Sequence, residues 1–250
     1  MIIDEDGGID KMSGITDVKQ ANIIDSDKIS KWKLKIFGIG SIGSNLIKQA
    51  ALTGFKDIVG YDMDTVEHEN IGSQEFTIQH IDMKKTDAIQ KLMKDCYDYD
   101  ISVIDGEITK DTEILPEANT IFFCAFDSLE ARNMLWDKLK QFPIVWGESR
   151  IGRTAQRYYF VDLRDQSEKN KEWIDRYQES LDPKGPRTEL KCGEKGCYSS
   201  NSELVGRILR QLVNIAEEKE IATQYIGDWG MPPSIFVMPE QEVPSEIKYD

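Results

Sequence analysis

Three glycines in Gly38-Ile-Gly40-Ser41-Ile-Gly43 stand at a spacing that suits phosphate binding. Residues 34–39 form a short apolar run that predicts a strand. Residues 44–52 carry apolar side chains at helical spacing and end at Gly54, a natural helix stop. In a strand–turn–helix of this kind the first glycine permits the tight turn and the second lets backbone approach a phosphate. The third lets the helix pack close to the strand, and the free N–H groups of the helix N-terminus face the anion. Asp62 comes nineteen residues after Gly43, with Asp64 just behind it, and a carboxylate there can accept hydrogen bonds from ribose hydroxyls. Glycines and acid alone suit a mononucleotide or a dinucleotide such as NAD. The competing reading is a glycine turn that merely packs.

Other chemistry-bearing residues are few. His68 and His80 are the only histidines; no motif ties either to a nucleophile, and both are expected on the surface. Cys96 and Cys124 fall on apolar faces and read as core thiols. Cys192 and Cys197 make a C-x-x-x-x-C pair, with neither a second pair nor a nearby histidine to complete four zinc ligands.

The elements that must position these residues alternate. After the first strand and helix come a strand at 57–61, a helix at 86–96 and strands at 101–104 and 120–125. A helix at 129–139 stops before Pro143, and the next strand is at 144–146. Strand and helix in alternation predict an α/β fold, a Rossmann-like, mostly parallel sheet with helices on both faces. Beyond residue 150 the alternation at 156–163 predicts antiparallel strands that extend the sheet. Residues 181–202 read as a long loop, 203–218 as a C-terminal amphipathic helix and 234–237 as a last strand. The expected organisation is an N-terminal arm at 1–30, with a short helix at 16–24, and a nucleotide-binding part at 31–165. A crossover loop, helix and closing strand of the same domain occupy 166–240, and an acidic tail 241–250.

Composition narrows the function. The 250 residues carry a formal net charge of −14, which repels phosphate backbones at long range and argues against a general nucleic-acid binder. A local cluster of backbone donors can still hold one nucleotide against that field. No apolar run approaches the roughly 20 residues of a membrane span, and the acidic start lacks the pattern of a signal peptide. Four scattered cysteines make no disulfide framework, so a cytoplasmic location is expected.

The residues after Asp62 point past NAD. Gly60-Tyr-Asp62-Met-Asp64-Thr-Val66-Glu67-His-Glu-Asn70-Ile-Gly-Ser-Gln74 resembles the D-x-D-x-V-x-x-x-N-x-x-x-Q stretch of the ThiF/MoeB family, adenylyltransferases related to ubiquitin-activating enzymes. Ile81-Asp-Met-Lys-Lys85-Thr-Asp-Ala resembles that family's helix-opening lysine motif. Cys124-Ala-Phe-Asp127-Ser-Leu-Glu-Ala-Arg132-Asn133 resembles its acid-bearing strand end, and Pro143-Ile-Val-Trp-Gly147 its next strand. The resemblance covers roughly residues 32–160. It implies joining of a carboxylate to the α-phosphate of ATP with release of pyrophosphate. Two anions must meet in that reaction, so positive charge and Mg²⁺ are needed to offset their repulsion. By the resemblance, Gly38, Gly40, Ser41 and Gly43 cradle phosphate beside Asp62, Asp64 holds the ribose, Lys85 the phosphates and Asp127 the metal. Asn70 and Gln74 order the pocket floor. The acceptor implied is a small ubiquitin-like or sulfur-carrier protein, or a peptide, and the expected assembly is a homodimer.

Some relatives use a cysteine of the later loop as a nucleophile, so Cys192, flanked by Lys191, and Cys197, close to a helix start, are candidates. One departure stands out. The family usually carries an arginine just before the matched glutamine and another in an N-terminal helix. Here the first position is Ser73, residues 1–31 offer only lysines, and the first arginine is Arg132. Arg150, Arg153 or a partner protein must substitute, or catalysis is weakened. The alternatives left open are a nucleotide- or partner-binding scaffold and an NAD-dependent oxidoreductase.

Overall fold

The computed structural model describes residues 20, 23–152, 154–182 and 197–229. Most of the expected arm, the strand at 234–237, the acidic tail, Arg153 and Cys192 lie outside them, as does most of the helix at 16–24; the described end of the arm holds a short helix. A short helix α1 (Ser26–Ile29) leads into β1 (Lys33–Phe37), α2 (Ser41–Thr53) and β2 (Asp57–Asp62). Two 3-10 turns, His68–Asn70 and Ile78–His80, precede α3 (Lys85–Tyr97), β3 (Ser102–Asp105), β4 (Thr120–Cys124), α4 (Leu129–Leu139) and β5 (Val145–Gly152). The chain continues through β6 (Ala155–Asp162), α5 (Glu168–Glu179), α6 (Tyr198–Ala216) and β7 (Gln224–Asp228).

One sheet runs in the order β3-β2-β1-β4-β5-β6-β7. Its first five strands are parallel, and β6 and β7 extend it antiparallel; the sequence predicts such an extension at 156–163, where β6 lies. Leu34 and Ile36 of β1, Ile121 and Phe123 of β4 and Phe160 of β6 point to one core with α2, α3 and α6. The intervening Phe37, Phe122, Trp146, Tyr159 and Val161 point to a second core, under α4 and α5. Burial on both faces is why β4 reads as a nearly continuous apolar run.

The turn after β1 leaves no room for a side chain at two of its three glycines. Gly38 has φ +98, a conformation that favours glycine. A Cβ at Gly43 would lie 1.8 Å from the Gly38 carbonyl oxygen, so α2 can start against the strand only as glycine. A Cβ at Gly40 would meet nothing within 4 Å, so that position faces open space.

Beyond residue 165 the structure departs from the expectation. Helix α5 is not apparent in the sequence, because only Trp173, Ile174 and Tyr177 give it an apolar edge among charged residues. The Ser167 hydroxyl caps it, accepting from Asn170 N at 3.2 Å. Helix α6 begins at Tyr198, not at residue 203. Its polar first turn reads as loop, yet Cys197 and Ser200 cap it reciprocally, and Asn45 Nδ2 donates to Ser202 Oγ at 2.8 Å. Strand β7 is likewise absent from the expected elements. Cys96 is exposed instead of core, since the buried face of α3 ends at Met93. His80 is buried instead of on the surface; its Nδ1 accepts from Thr77 N at 3.0 Å, and burial lowers its pKa.

This packing supports two tests. Gly43→Ala should destabilise by the ~1–3 kcal/mol or more of an overpacked site, while Gly40→Ala should melt with the parent; equal effects would refute the close approach. At the opposite end of β1, Lys33 and Lys35 both pair with Glu117, at 2.7 and 2.9 Å, and hold its carboxyl down at about 2. A carboxyl depressed on folding stabilises above its unfolded range and loses that contribution as pH falls toward its folded value. Glu117→Gln should therefore lower the melting temperature at neutral pH, with the gap to the parent closing on acidification. A gap that does not change with pH would show that the pairing contributes nothing.

Candidate functional site

The carboxyl ends of β1, β2 and β4 bring most of the sequence-predicted residues to one edge of the sheet, where ligands of open α/β sheets sit. The Gly38–Gly43 turn lies beside the Asp127 turn, since a Cβ on Gly38 would come within 3.1 Å of Ala125 backbone. No side chain caps the N-terminus of α2 at Gly40, so its first N–H groups remain for an anion. Ser41 opens that helix. Behind it, Ser44 Oγ donates to Gly40 O at 2.7 Å and accepts from Glu75 N at 3.2 Å, tying the turn to the segment after Gln74.

Asp62, the last residue of β2, and Asp64, just beyond it, divide their tasks. Asp62 is nearly buried, and its oxygens accept from Ile39 N at 2.6 Å and Asp64 N at 2.8 Å. It shapes the turn from inside the protein. Asp64 is the exposed carboxylate at the strand end, where Lys85 Nζ donates to it at 2.8 Å. Lys85 itself is buried at the first position of α3, so its ammonium is held at the site instead of ranging through solvent.

Asn70 closes its own turn, accepting from Glu67 N at 2.9 Å. Gln74 Oε1 is buried with no hydrogen-bond partner, a state that calls for a donor from a ligand or water. Asp127 is exposed on the turn between β4 and α4. Among the described residues no three His, Cys, Asp or Glu side chains cluster as a metal site. A magnesium ion at Asp127 would therefore take its other ligands from phosphate and water, as that ion commonly does.

Of the two candidate loop cysteines, Cys197 is described, and it stands beside this edge. The next residue, Tyr198, donates its hydroxyl to Glu75 Oε1 at 2.7 Å, and Lys48 pairs with the same carboxylate. The Cys197 thiol is exposed, and its pKa is lowered to about 7. The Ser199 hydroxyl at 3.3 Å contributes most to that shift, ahead of the backbone and hydroxyl of Ser200. Buried Cys124 is the opposite case, pushed up to about 12 by burial.

Sequence reasoning missed a buried ionic cluster next to Asp127. Glu148, fully buried, lies between the guanidinium groups of Arg132, with Nε at 3.5 Å, and Arg150. Arg150 also donates to Ser180 O at 3.0 Å and Ser180 Oγ at 2.9 Å, which commits it to this cluster instead of to the glycine turn. The signal available was Glu148 and Arg150 flanking one residue within β5, a pattern that reads equally as solvated charge.

Comparison with known proteins gives the family and the fold. The ThiF family profile matches residues 14–211. Over 103 residues the chain is 38% identical to SUMO-activating enzyme subunit 2 of Dictyostelium discoideum, covering 40% of this chain and 15% of that enzyme. Over 105 residues it is 31% identical to the NEDD8-activating enzyme E1 catalytic subunit of Schizosaccharomyces pombe, covering 41% of this chain and 24% of that one. These matches thus span a small part of the relatives' length. Among solved structures, E. coli MccB with ATP superposes with a TM-score of 0.61 at 17% identity, over 83% of this chain and 67% of that one. PaaA superposes with a TM-score of 0.62 at 16% identity, over 87% and 76%. Since the profile match spans the glycine turn, the acid pair, the Asp127 turn and most of α6, this chain belongs to the ThiF family.

Proposed function

We propose that this protein uses ATP and Mg²⁺ to adenylate the C-terminal carboxylate of a small ubiquitin-like or sulfur-carrier protein, or of a peptide. The observation that carries the reading is the uncapped α2 N-terminus, open at Gly40, with the Asp64–Lys85 pair and Asp127 along one sheet edge of a ThiF-family chain. In this reading the backbone of Gly38–Gly43 with Ser41 takes phosphate, Asp64 the ribose and Lys85 the phosphates, while Gln74 and Asn70 form the floor. Mg²⁺ held by Asp127 would supply positive charge where two anions meet.

The acceptor carboxylate oxygen attacks the α-phosphorus, the bond to the bridging oxygen breaks, and pyrophosphate leaves with that electron pair. Cys197 is our first candidate for a second step. Its thiolate attacks the acyl carbon and AMP leaves, giving a thioester; Cys192 is the second candidate. Relatives whose names specify SUMO and NEDD8 activation, and MccB solved with MccA, support protein and peptide acceptors alike. The free thiols Cys96, Cys124 and Cys197 accord with a cytoplasmic protein, and no helix among the described residues is long and apolar enough to cross a membrane. We further propose a homodimer, for which light scattering is the check.

A second reading has its own support. With Ser73 at the arginine position and Arg150 committed to Glu148 and Ser180, the chain suits a weakened or inactive scaffold that binds nucleotide without turnover. ATP-pyrophosphate exchange with candidate C-terminal peptides separates the two. Acceptor-dependent exchange supports the enzyme, and ATP binding without exchange supports the scaffold.

Two measurements test the assigned roles. Asp127→Ala should reduce exchange by about 10²–10³-fold, the size expected for a lost electrostatic contact to the reacting phosphate, with little change in melting. Near-parent exchange would remove Asp127 from the metal site. In a Cys96→Ser, Cys192→Ser background, the pH profile of Cys197 alkylation should inflect near its lowered value of about 7. Ser199→Ala should move that inflection upward, and an unmoved profile would show that the hydroxyl does not stabilise the thiolate.

A further inference from the structure

The cluster around Glu148 lies at the same sheet edge as Asp127, and its hydrogen bonds reach two separate stretches of chain. On one side, Arg132 Nη2 donates to Phe126 O at 2.6 Å and to Ser149 O at 3.3 Å. It thereby fixes the carbonyl immediately before Asp127. Arg132 is itself deeply buried. Burial works against its charge, but Glu148 more than offsets this and holds the guanidinium pKa above its ordinary value.

On the other side, Arg150 pairs with the remaining oxygen of Glu148 and directs its two terminal nitrogens to Ser180, the C-cap of α5. Asn133, next to Arg132 on α4, donates to Leu181 O at 3.1 Å on the same stretch. The carboxylate is further held by Tyr177, whose hydroxyl donates to Glu148 Oε2 at 2.6 Å and accepts from Trp146 Nε1 at 2.6 Å. Arg150 and Tyr177 thus hydrogen-bond to the carboxylate, while Arg132 faces it as an ion pair at 3.5 Å.

We propose that Glu148 is a positioning residue that couples the Asp127 turn to the chain leaving α5, so that the two stretches keep one fixed relation at the sheet edge. A neutral side chain of the same shape keeps the volume but leaves the buried Arg132 and the half-buried Arg150 guanidinium groups without their counter-charge. Both arms then loosen together: Arg132 loses its hold on Phe126 O, and Arg150 its hold on Ser180. The catalytic consequence rests on the function proposed above, because Asp127 matters to turnover only if it holds the metal. The mechanical consequence does not.

Amide hydrogen exchange reads the mechanical part without any acceptor or nucleotide. In Glu148→Gln the peptides covering 125–132 and 178–182 should both exchange faster, by about tenfold or more as local opening becomes cheaper. Peptides from β1 and α2 should keep parental rates. Arg132→Lys should speed chiefly the first peptide and Arg150→Lys chiefly the second, since each cuts one arm. If Glu148→Gln fails to fold, Tyr177→Phe removes a third bond from the same carboxylate, and acceleration of both peptides is again expected. A response in only one peptide, or one spread evenly over the sheet, overturns the coupling.

The kinetic counterpart is a rise of about tenfold in the Mg²⁺ concentration for half-maximal pyrophosphate exchange in Glu148→Gln, with KM for the acceptor unchanged. An unchanged Mg²⁺ requirement overturns the link to Asp127. A parent that shows no exchange with any acceptor, while both peptides respond as expected, refutes the adenylating function and leaves the coupling intact.

Discussion

Asp62 shapes the candidate site from beneath. Its carboxylate takes the Ile39 N–H inside the glycine turn and the Asp64 N–H at the end of β2, so one buried charge sets the angle of both. Hydrogen bonds to a charged group contribute about 1.5–3 kcal/mol each, and these two act just past the ends of two adjacent parallel strands. Their effect reaches outward. The turn presents its uncapped helix start, Asp64 meets Lys85, and Gly43 seats α2 against β1. Both oxygens of Asp62 are engaged within the protein, which is why Asp64 is the carboxylate presented to solvent.

The rest of the edge is assembled around charges that cannot reach water. Lys85 is buried and pairs with the Asp64 carboxylate at the rim, and Glu148 is fully buried between two arginines and a tyrosine. Buried ion pairs are costly to desolvate and add little to stability compared with apolar residues of similar size, but removing one partner is severe. Such groups fix geometry more than they add strength. In this protein they occur just past β2 and within β5, and the cores on both faces of the sheet supply the stability that offsets them.

The first half of the molecule is legible in its sequence because local signals and tertiary packing agree there. The glycines, the strand before them and the periodic helix after them all specify one arrangement, and the spacing to Asp62 places the acid at the neighbouring strand end. Legibility fails where a segment's partner is distant in sequence. Helix α5 buries one narrow edge led by Tyr177, so its charged residues dominate the pattern. The first turn of α6 looks like loop because its polar groups pair with Asn45 and with Gln156, whose Nε2 donates to Ser200 O. The Glu148 cluster is invisible for the same reason, since only the fold brings α4, β5 and α5 together. His80 and Cys96 show the two failures of a residue-type rule, one polar group buried by its own turn and one apolar thiol carried past the end of the core.

The start of α2 has a consequence for how an anion would reach it. With no capping side chain, the turn attracts through fixed backbone dipoles that act within about one turn of the helix, whereas the chain as a whole carries a net charge of −14. A polyanion approaching from solution is repelled before it is attracted, and the repulsion acts over distances that dissolved salt screens within about 8–10 Å. Salt therefore lowers the outer barrier while leaving the short-range hold of the backbone donors nearly intact. Capture by this protein is a matter of penetrating an unfavourable field to a small favourable centre, and added salt eases the approach while it screens the ammonium of Lys85.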